Sequence, residues 1–182
     1  MSRSLPALPG EEHECGECRF AYGSVSVEAA LERIRGVPER VGEAVSGLPD
    51  EELRARPSHD TWSVLEYVCH LRDVHAVYTI RLYRTRVEDV PMLEPMLNDL
   101  RVVRFRYNQR ELRPVVAELA DNVAGLLDEA ARSTEQTWER VARRVPGEER
   151  TPRWLIRQAA HEGLHHLGDI HGVRDRVTRS FS

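Results

Sequence analysis

Ala160-His161-Glu162-Gly163-Leu164-His165-His166-Leu167-Gly168-Asp169-Ile170, near the C-terminus, decides how this chain is read. Leu155, Ala159, Ile170, Val173 and Val177 around it recur at helical spacing and form one apolar stripe. Steps of three or four residues along that stripe pass from Ala159 through Glu162 and His166 to Ile170 and Val173. A carboxylate and an imidazole, one turn apart, therefore point where a core would hold leucines. Burying them unpaired costs several kcal/mol. A metal ion that takes both as ligands removes that cost.

Working outward, the chain reads as mostly helix. Ser26 or Ser24 caps a helix to about residue 46, with a kink expected at Gly36 and Pro38. Gly47-Leu48-Pro49-Asp50 is a turn, and Asp50 caps a short turn over 51–54. Thr61 is placed as the cap of a long helix over 62–87. Residues 88–99 carry Pro91, Pro95 and Asn98 and read as a loop, with a short helix at 99–109. Pro114 opens a third long helix to about residue 133, and a further turn falls in 136–144. Thr151-Pro152 sets Thr at the N-cap and Pro at N1 of the last helix, which ends near residue 177. No strand run stands out. The fold class is all-α: a four-helix bundle over 25–182 behind an irregular arm, 1–24, that carries a Cys-x-x-Cys.

Composition narrows the function. The chain has 182 residues, enough for one domain with a real core. Its 30 acids outnumber 26 bases for a net charge of −4, which argues against a nucleic-acid binder. All the bases are Arg, which points to GC-rich bacterial coding. No window approaches the roughly 20 apolar residues of a membrane span. Residues 1–10 lack a signal-peptide pattern, and three cysteines fit a reduced, cytoplasmic setting better than a disulfide framework.

A third metal ligand comes from Thr61-Trp62-Ser63-Val64-Leu65-Glu66-Tyr67-Val68-Cys69-His70-Leu71-Arg72-Asp73. His70 lies at the edge of that helix's apolar stripe (Val64, Tyr67, Leu71, Val74, Tyr78, Leu82) and can face inward. His70, Glu162 and His166 make three nitrogen and oxygen ligands, a catalytic pattern that leaves positions open. Such a set suits Zn²⁺ first, with Ni²⁺ or Fe²⁺ as alternatives. The rival pair His161 and His165 lies about 100° around the helix from that stripe. His165 is kept as a candidate catalytic general base. Asp73 and His75 read as groups behind His70 or plain helix surface. Arg81, Arg84 and Arg86 read as a solvated helix end. Arg101, Arg104, Arg106 and Arg110 line a short helix and read as surface, with contact to an acidic substrate as the alternative.

In the arm, His13-Glu14-Cys15-Gly16-Glu17-Cys18 is half of a zinc site. His13, Cys15 and Cys18 are its candidate ligands, and a fourth would come from Cys69, His59 or His171.

Trp62-Ser63, His70 and Asp73, followed by His165-His166-x-Gly168-x-Ile170, resemble the DinB/YfiT-like metal-binding bundle superfamily over about 26–178. The resemblance implies metal ligands at His70, position 162 and His166. Most members have His at the middle position. Glu162 instead resembles the mycothiol-dependent maleylpyruvate isomerase branch. The opening Cys-x-x-Cys is similar to that of an actinobacterial subgroup. The resemblance implies an enzyme that activates a low-molecular-weight thiol for S-transfer or isomerisation of a small-molecule substrate. The alternative is a non-catalytic metal-binding protein of stress response. Exposed bundle faces make a homodimer the expected assembly.

Overall fold

The computed structural model describes residues 7–181. Its elements are α1 (Val27–Arg35), α2 (Val37–Val45), α3 (Asp50–Arg54), α4 (Val64–Val87), α5 (Asn98–Arg104), α6 (Leu112–Ala131), α7 (Glu135–Trp138), β1 (Ala142–Arg143), β2 (Glu149–Arg150) and α8 (Pro152–Phe181). The α1–α2 unit, α4, α6 and α8 make the four-helix bundle, with α4 packed along both α6 and α8. Among the described residues, no helix is long and apolar enough to cross a membrane.

Local chemistry sets most boundaries. Ser26 caps α1 by accepting from the Ala29 backbone, and the helix breaks at Gly36, where Pro38 follows. The cap of α4 is Ser63, not Thr61. That shift makes Glu66 the third helical residue, so a complete capping box forms where Thr61 would have left Glu66 out of register. The Thr151 hydroxyl accepts from the Trp154 backbone, as a cap before Pro152 should. Helix α8 runs past residue 177 to Phe181. The segment over 136–144 differs from a simple turn. Ala142–Arg143 pairs antiparallel with Glu149–Arg150, a pairing too short to show as a strand pattern.

The core holds Leu65, Leu71, Leu82, Leu119, Leu126, Leu155 and Ile156, all fully buried. Each such side chain contributes about 1.5–3 kcal/mol of burial. The arm joins this core. Phe20 and Tyr22 are fully buried, and Tyr22 stacks on Trp154 at a centroid distance of 6.3 Å. The Trp154 indole donates to the Pro9 carbonyl, and Arg157 donates to the Val25 carbonyl. The arm is thus laid along the first turns of α8, which positions Cys15 and Cys18 beside the histidines of that helix.

Candidate metal centre

Helix α8 exposes two faces to two different neighbours. Glu162 and His166 face α4, where His70 meets them. His70 Nε2 lies 3.3 Å from Glu162 Oε2, and His166 Nε2 lies 3.2 Å from the same oxygen. The His70 and His166 rings meet edge to face, 4.7 Å apart. Ligands about 2.1 Å from one ion, at roughly tetrahedral or octahedral angles, stand about 3.0–3.4 Å from each other. The observed separations fall in that interval, and two imidazoles with a carboxylate form a set that divalent transition metals accept. The residues present therefore fit a metal.

Their supports fit it as well. His166 donates through Nδ1 to Asp169 Oδ2 at 2.7 Å, which leaves Nε2 as the inward atom. Gln158 Nε2 donates to Glu162 Oε1 at 2.6 Å. The edge of the His70 ring packs on Trp62. Burial works against the charge on Glu162, yet the His166 and His70 contacts hold its carboxyl well below the usual range. Burial also works against a charged His166, but Asp169 and Glu162 outweigh it and push the imidazole up to about 9. Burial holds His70 below its ordinary value in spite of Glu162.

Glu162 also lines a cavity of about 430 Å³. Its walls are largely apolar, with Leu8, Met96, Leu97 and Leu100, and carry Tyr78, Arg81 and Arg144. Arg81 is only 5% exposed, so it is a wall residue and not the solvated helix end the sequence suggested. The 88–97 connection folds back over it, and Arg81 donates to the Glu94 carbonyl. Its Nε has no hydrogen-bond partner among the described residues. Arg144 is paired with Glu148 at 3.0 Å.

The second face of α8 looks at the arm. One ligand atom each from Cys15, Cys18, His161 and His165 lie within 4.8 Å of one another. His165 turns Nδ1 to Cys15 Sγ at 3.5 Å, so that nitrogen faces the thiols. His161 is buried beneath Phe20 and Tyr22. Burial lowers its imidazole to about 4, so the ring is neutral. His13 is not among the four. Its ring lies 6.0 Å from that of Tyr22, whose backbone N–H its carbonyl accepts. The other proposed fourth ligands are elsewhere: Cys69 is buried against the Tyr107 carbonyl, His59 is exposed beside Asp60, and His171 is exposed further along α8.

The groups behind His70 have separate duties. Asp73 accepts from Tyr107, from Arg101 at 2.6 Å and from Arg72 at 2.8 Å. Arg101 is therefore a buried-acid partner, not free surface. His75 donates through Nδ1 to the Leu71 carbonyl at 2.7 Å.

A family model described as the DinB superfamily matches residues 30–170. The uncharacterized protein YuaE of Bacillus subtilis (strain 168) is 26% identical over 149 residues, covering 75% of this chain and 91% of that protein. Among solved structures, YfiT from Bacillus subtilis aligns with a TM-score of 0.77 at 19% identity, covering 84% of this chain and 87% of that one. YfiT is described as a probable metal-dependent hydrolase with an unusual four-helix bundle topology.

Proposed function

The chain belongs to the DinB superfamily, and from that premise we propose that it is a metal-dependent enzyme acting on a small electrophilic substrate with a low-molecular-weight thiol as nucleophile. The observation that carries this reading is the double position of Glu162, in the ligand triad and in the wall of the cavity. A coordination position left by His70, Glu162 and His166 would open onto space that a substrate can occupy. When bound there, a divalent cation, with Zn²⁺ first and Ni²⁺ or Fe²⁺ as alternatives, lowers the pKa of a coordinated thiol or water.

The chain's own residues do the rest. Asp169 fixes the His166 ring, and Gln158 fixes the Glu162 carboxylate, so the ligands are preorganised. Leu97, Leu100 and Met96 give the cavity an apolar side. Arg81 places a guanidinium in the cavity wall, which favours substrates with a carboxylate or similar anion. Glu162 resembles the residue at this position in the thiol-dependent isomerase branch, which supports a thiol as nucleophile. Hydrolysis is the second reading, favoured by the description of YfiT, and differs in taking water as the nucleophile.

The test is elemental analysis followed by turnover. Metal-loaded protein is offered electrophilic carboxylic acids with and without a panel of small thiols. Thiol-dependent turnover that disappears on chelation and in Glu162→Ala supports the proposal. Turnover of esters or amides without thiol moves the assignment to hydrolysis. Absence of metal uptake by His70, Glu162 and His166 overturns both.

A further inference from the structure

The arm and the second face of α8 carry an independent site. We propose that Cys15, Cys18, His161 and His165 form a closed, structural zinc site that pins the N-terminal hairpin to the last helix.

The hairpin is shaped to hold an ion. The Cys15 backbone N–H donates to the Phe20 carbonyl at 2.9 Å, and Arg19 N–H donates back to the Cys15 carbonyl at 2.9 Å. Glu14 and Ala21 bridge across its base. The turn between the cysteines brings both thiols to the side that meets His161 and His165. Closing this turn puts Arg19 at φ 60°, a left-handed conformation that an arginine adopts at a cost. A bound ion held by both thiolates offsets that cost.

The imidazoles are prepared by a directional hydrogen-bond chain. Ionised Glu162 can only accept, so Gln158 donates Nε2–H to it and exposes Oε1. The Tyr22 hydroxyl donates to that oxygen. Its own oxygen then accepts from His161 Nδ1, 2.8 Å away. A neutral His161 with its proton on Nδ1 has a bare lone pair on Nε2. That atom is buried and has no hydrogen-bond partner among the described residues. An orphaned, buried acceptor beside two thiols is what a missing cation leaves behind. His165 uses the opposite nitrogen. Its Nδ1 faces Cys15, while Nε2 faces Glu17 at 3.5 Å and Asp169 at 3.8 Å, the carboxylate support common to metal-bound imidazoles.

The donor set selects the ion. Two thiolates and two imidazoles in a tetrahedron are a structural zinc set, and the two negative charges neutralise Zn²⁺. For Zn–S of about 2.3 Å and Zn–N of about 2.0–2.1 Å, sulfur and nitrogen stand about 3.6 Å apart. The Cys15 Sγ to His165 Nδ1 distance is 3.5 Å. Four protein ligands leave no open position, and Cys15 and His161 are each under a tenth exposed, so this ion is not a catalyst. One helix thus serves two ions: His161 and His165 hold the arm's, while Glu162 and His166, one residue further round, face α4.

X-ray absorption on the full-length protein, reconstituted with zinc under a sulfur-free phosphine reductant, reads the site directly. The expected result is two zinc equivalents per chain and a zinc–sulfur shell at about 2.3 Å. The triad of His70, Glu162 and His166 has no sulfur, so this signal is independent of the proposed activity. Cys18→Ser should remove one equivalent and shrink the sulfur shell. His70→Ala should remove the other equivalent and keep the sulfur shell intact, since His70 lies outside the Glu162–Gln158–Tyr22–His161 chain. A wild-type spectrum without sulfur scattering overturns the proposal, whatever the variants do. So does a Cys15–Cys18 disulfide that persists under reductant, or prompt reaction of both thiols with a thiol reagent in the zinc-loaded protein.

Discussion

Asp169 stands one turn beyond His166 and touches it through a single hydrogen bond of 2.7 Å. If its work is to orient the imidazole, Asp169→Asn should weaken metal binding at the triad by about 10–100-fold without abolishing it. Competition with a chromophoric chelator measures this. Outright loss of binding would make Asp169 a ligand. Asp73 offers a pH test at the same scale. Burial opposes its charge, but the Tyr107 and Arg101 hydrogen bonds prevail and hold its carboxyl below the usual value. A depressed folded pKa gives stability that is complete above the unfolded value, near 3.9, and fades as pH falls through the folded one. Asp73→Asn should therefore cost about 1.5–3 kcal/mol at pH 7 and progressively less below about pH 4. Denaturant titrations of both proteins at the two pH values settle the sign, and a penalty that grows on acidification would refute it. The triad residues were legible in the sequence because Glu162 and His166 break an apolar stripe. The burial of Arg81 was not legible, because the loop that covers it returns only after the helix has ended.

Between elements, the close contact is α8 against α2. A Cβ added at Gly163 would stand 2.7 Å from Val37 Cγ2, inside any real contact distance. Val37 is buried and β-branched, so it yields little. Gly163→Ala should destabilise the bundle by about 1–3 kcal/mol through overpacking. Gly168, five residues on, has nothing within 4 Å of such a Cβ. Gly168→Ala should instead stabilise α8 by about 0.5–1 kcal/mol through helix propensity. Thermal melts of the two variants should move in opposite directions, and a shared direction would refute the packing argument. Helical periods and caps located the main helices, including the break at Gly36. The cap of α4 moved to Ser63 because a complete capping box satisfies two backbone donors where Thr61 would satisfy fewer. The β1–β2 pair stayed hidden because two residues per strand carry no period. The docking of the arm was equally hidden, since Cys15 and His165 are brought together from 150 positions apart.

At the scale of the molecule, the triad joins α4 to α8 with ligands that neither helix can supply alone. An ion bound only by the folded form stabilises it by mass action. At a free concentration a hundred times Kd, this is about 2.7 kcal/mol per site. For a chain of this size, that corresponds to about 5–11 °C in Tm. Chelation should therefore lower Tm by several degrees, and added Zn²⁺ should restore it with a concentration dependence. The same titration on Glu162→Ala should lose the part of the shift that belongs to the triad. The separation matters because a metal adhering to the surface would not distinguish folded from unfolded chain and would leave Tm unmoved. An equal Tm with and without the ion would mean that the three side chains converge for reasons of packing alone. The hydrogen bonds that Asp169 accepts from His166 and that Gln158 donates to Glu162 favour the metal, because each holds a ligand atom facing the common centre.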